Sequence, residues 1–161
     1  MSDVRPVRPD ELDALPELER AADTIYAPLG IGPLPSPGTV EEFRSALFVL
    51  VSGDPPVGLA RIDELAGGAH LEQLSVHPDQ AKQGIGRALL KGACRWAAAA
   101  GYDELTLATY RDVRWNGPFY ASEGFVEVAL VDDWYRDRGL PPEAPVMARF
   151  GTRIIMARPL P

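Results

Sequence analysis

The chain has 161 residues, of which 46% are hydrophobic and 24% are charged, and its net charge at pH 7 is −7. This length and balance are typical of one globular domain with one core, and they exclude a mainly disordered chain. The acidic charge, without any cluster of Lys and Arg, argues against a nucleic-acid-binding protein, and it mildly favours a cationic ligand through long-range attraction. We therefore expect a single domain over residues 1–161 and no nucleic-acid partner.

The sequence shows no signal for secretion, membrane insertion or metal binding. Its start, Met-Ser-Asp-Val-Arg, lacks the apolar stretch of a signal peptide, and the apolar runs are too short to span a bilayer. We expect a cytoplasmic protein without a membrane partner. Cys94, the single cysteine, lies in an alanine-rich helical pattern typical of a buried hydrophobe rather than a catalytic thiol. His70 and His77 do not have the spacing of metal ligands, so no metal site is predicted.

The first half of the chain predicts two helices and four strands. Alternation predicts a strand over 4–8, and a helix capped by Asp10 is expected to run to about Ile25. Residues 27–38, rich in Pro and Gly, predict a loop, and a capping box of Thr39 with Glu42 begins a short helix that ends near Ala46. Three further strands are predicted at 48–51, 57–65 and 70–76, close enough in sequence to form an antiparallel meander.

The second half predicts a long helix over about 84–100, whose apolar residues recur every three or four positions. Asn116 is a good N-cap for a short helix through about Glu123, and residues 132–145 form a polar, irregular excursion. The remaining strands are predicted at 104–109, 125–131 and 153–158. This order of elements predicts a mixed α/β layer architecture.

The most informative stretch is Gln83-Gly84-Ile85-Gly86, between a strand and the long helix. Its glycines let backbone amides approach an anion, and the helix N-terminus adds free N–H groups and positive potential. On spacing alone, tight packing of strand and helix explains the glycines at least as well. A dinucleotide motif is incomplete because Leu89 stands at the third glycine position, and the Gly-Lys-Ser/Thr of a P-loop is missing.

Two blocks of the sequence resemble the GNAT acetyltransferase superfamily. Leu74-Ser75-Val76-His77-Pro78-Asp79, followed by Gln83-Gly84-Ile85-Gly86-Arg87-Ala88-Leu89-Leu90, is similar to the family's acetyl-CoA motif. Asn116-Gly117-Pro118-Phe119-Tyr120-Ala121-Ser122-Glu123-Gly124-Phe125 is similar to its Asn…Phe-Tyr…Gly-Phe segment. Both blocks stand in the family's order, and the resemblance covers roughly residues 47–131.

The resemblance implies a central, mostly antiparallel sheet that is flanked by helices and splayed between its fourth and fifth strands. It implies acetyl-CoA as co-substrate, with the pantetheine arm in the split, where it pairs with the main chain of Leu74 and Val76 and is faced by Asn116. The pyrophosphate would be held by the amides of Gln83, Gly84, Ile85, Gly86, Arg87 and Ala88. The family usually has Gln or Arg at the position of Ala81, so Gln80, Lys82 or the amides alone would substitute here.

Tyr120 and Glu72 are the candidate catalytic residues. The resemblance places Tyr120 near the sulfur, and an ordinary pKa of about 10 keeps a phenol protonated, so we interpret it as the general acid rather than a packing residue. Glu72 is a candidate base acting through water, although a solvent-facing strand residue fits equally well, and His70 is a weaker candidate. Strand alternation lets only one of Glu72 and Gln73 point into a cleft unless the strand bulges. The amide of Val76 would polarise the thioester carbonyl.

Together these features predict an N-acetyltransferase that moves the acetyl group directly from acetyl-CoA to a primary amine of a small molecule or amino acid. Protein N-terminal or lysine acetylation is an alternative, and a non-catalytic acyl-CoA sensor is an alternative from another class, against which Tyr120 argues. Trp115, Trp134 and Tyr135 would wall the acceptor pocket, or else serve packing or a homodimer contact.

Overall fold

The computed structural model describes residues 3–161 and contains one seven-stranded sheet. The strands lie in the order β1-β2-β3-β4-β5-β7-β6, and each neighbouring pair is antiparallel except the parallel pair β4–β5. Their bounds are β1 (Val4–Pro6), β2 (Phe48–Ser52), β3 (Gly58–Leu65), β4 (Gly68–Val76), β5 (Glu104–Tyr110), β6 (Val126–Leu130) and β7 (Arg153–Pro159).

Helices flank this sheet. The α-helices are α1 (Leu15–Asp23), α2 (Val40–Ser45), α3 (Ile85–Ala99), α4 (Gly117–Ser122) and α5 (Val131–Asp137), and short 3-10 helices occupy Pro9–Ala14, Thr24–Leu29, Pro78–Gln80 and Pro145–Phe150. The predicted capping box of Thr39 with Glu42 is confirmed at the start of α2. Helix α3 buries Ile85, Leu89 and Ala93 in the main hydrophobic core beneath the sheet. Within residues 3–161, no helix is long and apolar enough to cross a membrane.

The splay between strands β4 and β5 is confirmed. Their parallel pairing covers only Ala69–Leu105, His70–Thr106 and Leu71–Leu107, although both strands continue beyond it. A β-bulge coincides with this divergence: Arg61 of β3 lies opposite Gln73 and Ile62 lies opposite Leu71, so that Glu72 is the extra residue. A bulge bends and twists its strand, so β4 leaves β5 at this point and the sheet opens.

The predicted helix over residues 10–25 is wrong in its first part. Residues Pro9–Ala14 form a 3-10 helix, and the α-helix begins only at Leu15. Pro16 explains the boundary because it has no N–H to donate to the carbonyl of Leu12, so an α-helix cannot run through both turns. The N-terminal capping box joins Arg8 to Glu11, instead of starting at Asp10.

The predicted irregular segment over 132–145 is also wrong in part, because it contains α5. Val131 and Trp134 lie three residues apart on one face of this helix, and both are buried against Ile155 of β7. The many charges of the segment lie on the other side, where they are solvated. Tertiary burial of two side chains thus stabilises a helix of only seven residues.

Candidate active site

A cleft of about 810 Å³ opens where β4 and β5 diverge. Its wall is formed by the inner face of α1, the end of β4, the start of α3, the end of β5, the start of α4 and the segment around 143–153. The two ends of the cleft differ in the groups that they present. We call the end at α3 the donor end and the end between α1, Glu72 and Arg153 the acceptor end.

The donor end presents unpaired backbone amides. The hydrogen bonds of α3 begin with the N–H of Ala88, which donates to the carbonyl of Gly84 at 3.0 Å. The N–H groups from Gly84 to Arg87 precede it and have no partner inside the helix. Gly84 adopts φ = +80°, which a glycine reaches without strain, and this conformation turns the chain into the helix. These amides and the positive end of the helix dipole form a site for an anion.

Two of the predicted donor-end residues take other positions. Ala88 cannot offer its amide to a ligand, because that amide is used inside α3. Gln83 and Ala88 do not line the cleft, whereas Gly84, Ile85, Gly86 and Arg87 do. The guanidinium of Arg87 turns away to pair with Glu123 at 3.0 Å. The residues that line the cleft here are thus the four consecutive ones whose amides have no partner inside α3.

Strand β4 offers a second row of main-chain groups. The N–H of His77, just after β4, donates to the carbonyl of Val57, just before β3, and pairing toward β3 alternates along an antiparallel strand. The N–H and C=O groups of Leu74 and Val76 therefore point away from β3, toward the edge that β5 has left. An extended ligand in the split can pair with them like an added strand.

Asn116 is the N-cap residue just before α4, as predicted, but its side chain makes no capping hydrogen bond. Its Oδ1 accepts the N–H of Tyr110 at 3.3 Å, and its Nδ2 donates to the hydroxyl of Tyr26 at 2.8 Å. The predicted N-cap position is thus confirmed, but the side-chain capping bond is replaced by these two contacts. The physical reason is the splay: β4 no longer covers this end of β5, and Asn116 satisfies the N–H of Tyr110 instead.

Tyr120 lines the cleft beside Asn116. Its ring packs edge-to-face against Phe119 and Phe125, with centroids 5.2 and 5.9 Å away. Burial raises the pKa of this phenol above its ordinary value, so it is protonated at neutral pH. Within residues 3–161 its hydroxyl makes no hydrogen bond, and its proton is available to a ligand.

The bulge brings both Glu72 and Gln73 to the cleft wall, which simple alternation would forbid. Burial and the charge of Asp63 raise the pKa of Glu72 to about 7, against the opposing attraction of Arg61. The side chain lines the cleft and keeps 43% of its area exposed. A carboxyl group with such a pKa can accept and release a proton near neutral pH.

His70 lies behind Glu72 as a buried, neutral ring. Its Nδ1 is 2.8 Å from the hydroxyl of Thr106, and burial lowers its pKa to about 4. Its Nε2 is 3.9 Å from the Glu72 carboxylate, too far for a hydrogen bond. Trp134 stacks on this ring at 6.0 Å from inside the core, whereas Trp115 and Tyr135 line the cleft.

Two carboxylates of α1, Glu19 and Asp23, were missed by the sequence analysis. Burial raises the pKa of Glu19 to about 7, despite the hydrogen bond from the Gly38 amide, and burial raises that of Asp23 to about 6. A signal existed: Glu19 stands on the apolar stripe of α1, between Leu18 and Ala22 in the sequence. A charged residue at a core position of an amphipathic helix indicates a functional site.

In residues 3–161, no three His, Cys, Asp or Glu side chains are grouped so that they could hold a metal ion.

Known proteins share this fold. Residues 44–127 match the model of the acetyltransferase (GNAT) domain. Among solved structures, the PaiA N-acetyltransferase from Thermoplasma acidophilum, in complex with coenzyme A, superposes with a TM-score of 0.71 at 20% identity, covering 99% of each chain.

Two further structures have the same fold. The ribosomal-protein-S18-alanine N-acetyltransferase from Escherichia coli gives a TM-score of 0.69 at 23% identity, covering 99% of this chain and 94% of that one. A GNAT acetyltransferase from Staphylococcus aureus gives 0.72 at 17% identity over 100% of both chains. The domain match spans more than half of the sequence, and the fold and cleft agree with it: the chain belongs to the GNAT family of acetyltransferases.

Proposed function

We propose that the protein transfers the acetyl group of acetyl-CoA directly to a primary amine of a small molecule. One observation supports this most: a single cleft holds unpaired helix amides and an open strand edge at one end, and Tyr120 and Glu72 farther along. This arrangement places groups for holding an acyl carrier next to groups that can move protons.

The donor end fits coenzyme A in chemistry and in form. The amides from Gly84 to Arg87 would hold the pyrophosphate, and the main chain of Leu74 and Val76 would pair with the pantetheine amides. Gly86 leaves room for this, since a Cβ there would meet only Val76, at 3.7 Å. The similar PaiA protein was solved with coenzyme A, which supports the same ligand class here. When bound, acetyl-CoA supplies an acetyl group activated as a thioester.

Residues of the chain would carry the proton transfers. Glu72 accepts a proton from the incoming ammonium, through water, and so provides a neutral amine. The N–H of Val76 faces the open edge and would polarise the carbonyl oxygen. Tyr120 delivers its proton to the sulfur that departs. Cys94 is 6% exposed inside α3 and does not line the cleft, which favours direct transfer over a covalent acetyl-enzyme.

The test is release of free thiol from acetyl-CoA with a panel of acceptors: small amines, amino acids, and peptides with a free N-terminus or a lysine. We expect turnover with small amines and formation of the N-acetyl product by mass spectrometry. Preference for peptides would indicate a protein acetyltransferase. Tight binding of coenzyme A without turnover of any acceptor would contradict the proposal and indicate a sensor.

A further inference from the structure

The acceptor end of the cleft has an unusual balance of charge, and the inference drawn from it rests on the proposed function. Three carboxylates line this end without a Lys or Arg partner in residues 3–161: Glu19, Asp23 and Glu72. Glu19 and Asp23 are four residues apart, so they lie on one face of α1, and Glu72 comes from the bulge of β4 across the cleft. Besides burial, the charges of Asp23 and Glu72 both raise the pKa of Glu19, against the opposing attraction of Arg61, so the three carboxylates lie within electrostatic reach of one another.

The cations at this end are already used. Arg61 is clamped by Asp63 through two hydrogen bonds of 3.0 and 2.6 Å, and Arg153 is clamped by Glu143 through two of 3.1 and 2.7 Å. Such bidentate pairs use the fork of a guanidinium that a carboxylate ligand would need. His70 is neutral and buried. A substrate carboxylate would thus meet repulsion at this end, while an ammonium would meet attraction.

Glu19 gives an independent sign of a missing ligand. Its side chain is only 7% exposed, yet it lines the cleft. One carboxylate oxygen accepts the N–H of Gly38 at 3.1 Å, and within residues 3–161 the other oxygen has no hydrogen-bond or ion-pair partner. Burying a carboxylate without a counter-charge is unfavourable, and a cation bound beside it would offset that cost.

We propose that the acceptor is a diamine-type substrate, with one amine that is acetylated beside Glu72 and a second ammonium that binds between Glu19 and Asp23. In the reaction the C–N bond forms as the C–S bond breaks. The ammonium loses one proton before attack and another after it, and the thiolate gains one. The net products are the N-acetyl amine, free coenzyme A and one proton. The second ammonium stays charged throughout and acts only in binding.

The experiment compares three acceptors of one length: 1-aminopentane, 1,5-diaminopentane and 5-aminopentanoate. Two equivalent amines give the diamine a statistical factor of about two in kcat/KM over the monoamine. We expect the diamine to exceed the monoamine by about tenfold or more, which is well beyond this statistical factor. The amino acid should be the poorest acceptor. Equal values for diamine and monoamine, or preference for the amino acid or for peptides, would overturn the inference.

Matched variants locate the second ammonium. Glu19→Gln keeps an oxygen for the Gly38 amide, and Asp23→Asn keeps its shape, so both should fold. Each should bring the diamine-to-monoamine ratio close to the statistical factor. Glu17→Gln removes an equal charge from the outer face of the same helix, where Glu17 pairs with Arg20, and should retain the full ratio. An unchanged ratio in Glu19→Gln and Asp23→Asn would refute the subsite.

A binding measurement separates this inference from the proposed function. Calorimetry with protein saturated by coenzyme A should show the diamine binding more tightly than the monoamine, and Glu19→Gln should remove the difference. If no acceptor is turned over but this difference holds, the acetyl-transfer proposal fails and the diamine site stands. If acceptors are turned over but the difference is absent, the diamine site fails and the transfer proposal stands.

Discussion

The donor end of the cleft offers main-chain groups, whereas the acceptor end offers buried side-chain carboxylates. The donor end is local: its amides come from four consecutive residues and its strand edge from the segment just before them. The acceptor end is assembled from α1, β4 and β7, which are far apart in sequence. A binding site made of main-chain groups tolerates changes of side chain, whereas a site made of charged side chains depends on the identity of each of them. The following experiments test that difference, from the largest expected effect to the smallest.

Tyr120→Phe should lower kcat by a factor of about 10²–10⁴, the usual value of general-acid assistance. The ring and its contacts with Phe119 and Phe125 are kept, so acetyl-CoA affinity and stability should change little. Single-turnover kinetics checks that chemistry is being measured. Tyr102→Phe removes the same atom from a tyrosine that packs on Trp96 away from the cleft, and it should retain wild-type kcat. A wild-type rate in Tyr120→Phe would rule out the acid role.

Gly86→Glu should weaken acetyl-CoA binding by about 100-fold or more, because it places a carboxylate beside the amides proposed to hold pyrophosphate. Wild-type protein should gain about 2.7 kcal/mol of stability at a hundred times the dissociation constant, and the variant should lose that gain. Calorimetry and thermal unfolding measure both effects. Ala99→Glu adds the same charge at the exposed far end of α3 and should bind normally. Unchanged affinity in Gly86→Glu would mean that the pyrophosphate lies elsewhere.

The plot of log kcat/KM against pH should change slope near pH 7, and below this bend kcat/KM should fall about tenfold per pH unit. The reason is that Glu72 must lose its proton to act as a base, and its pKa is raised to about 7. Glu72→Gln should remove the bend. Glu19 also has a pKa of about 7, so Glu19→Gln is the necessary comparison, and it should keep the bend. Loss of the bend in Glu19→Gln but not in Glu72→Gln would reassign the base.

Glu19→Gln should raise the free energy of unfolding above that of the wild type, and this gain should be about 1–2 kcal/mol larger at pH 8 than at pH 5. The folded pKa of Glu19 lies near 7 and above the unfolded value, so its contribution is favourable below pH 4.5 and is lost as the pH rises through 7. Glutamine cannot ionise and avoids that loss. Denaturant unfolding at both pH values measures the change. The exposed variant Glu17→Gln should show the wild-type dependence of stability on pH. If Glu19→Gln shows the wild-type dependence as well, the buried charge of Glu19 does not destabilise the fold.

Much of the donor end could be read from the sequence because it is local. The glycines at 84 and 86, the preceding strand and the following helix stand together in the chain, and together with the family resemblance they predicted the free amides at the start of α3. At Ala88 the structure differs from the prediction by one hydrogen bond, because its amide donates to Gly84 in the first helical turn. The difference at Asn116 arose because its partners, the Tyr110 amide and the Tyr26 hydroxyl, become neighbours only after the sheet splays.

The sequence by itself determined most of the strand and helix pattern, because that pattern depends on spacing within each element. The resemblance of two sequence blocks to the GNAT family supplied the proposed phosphate loop and the choice of Tyr120 as a candidate, and Glu72 was a candidate because it adjoins the proposed cofactor strand. Tertiary structure decided where those side chains point and what surrounds them. The bulge at Glu72 brings two adjacent side chains to one cleft wall, and burial on the inner face of α1 raises the pKa of Glu19 and Asp23. Register and the surroundings of a side chain depend on contacts between distant segments. A local pattern, such as the place of Glu19 on the apolar stripe of α1, can indicate a buried position but not the groups that lie around it.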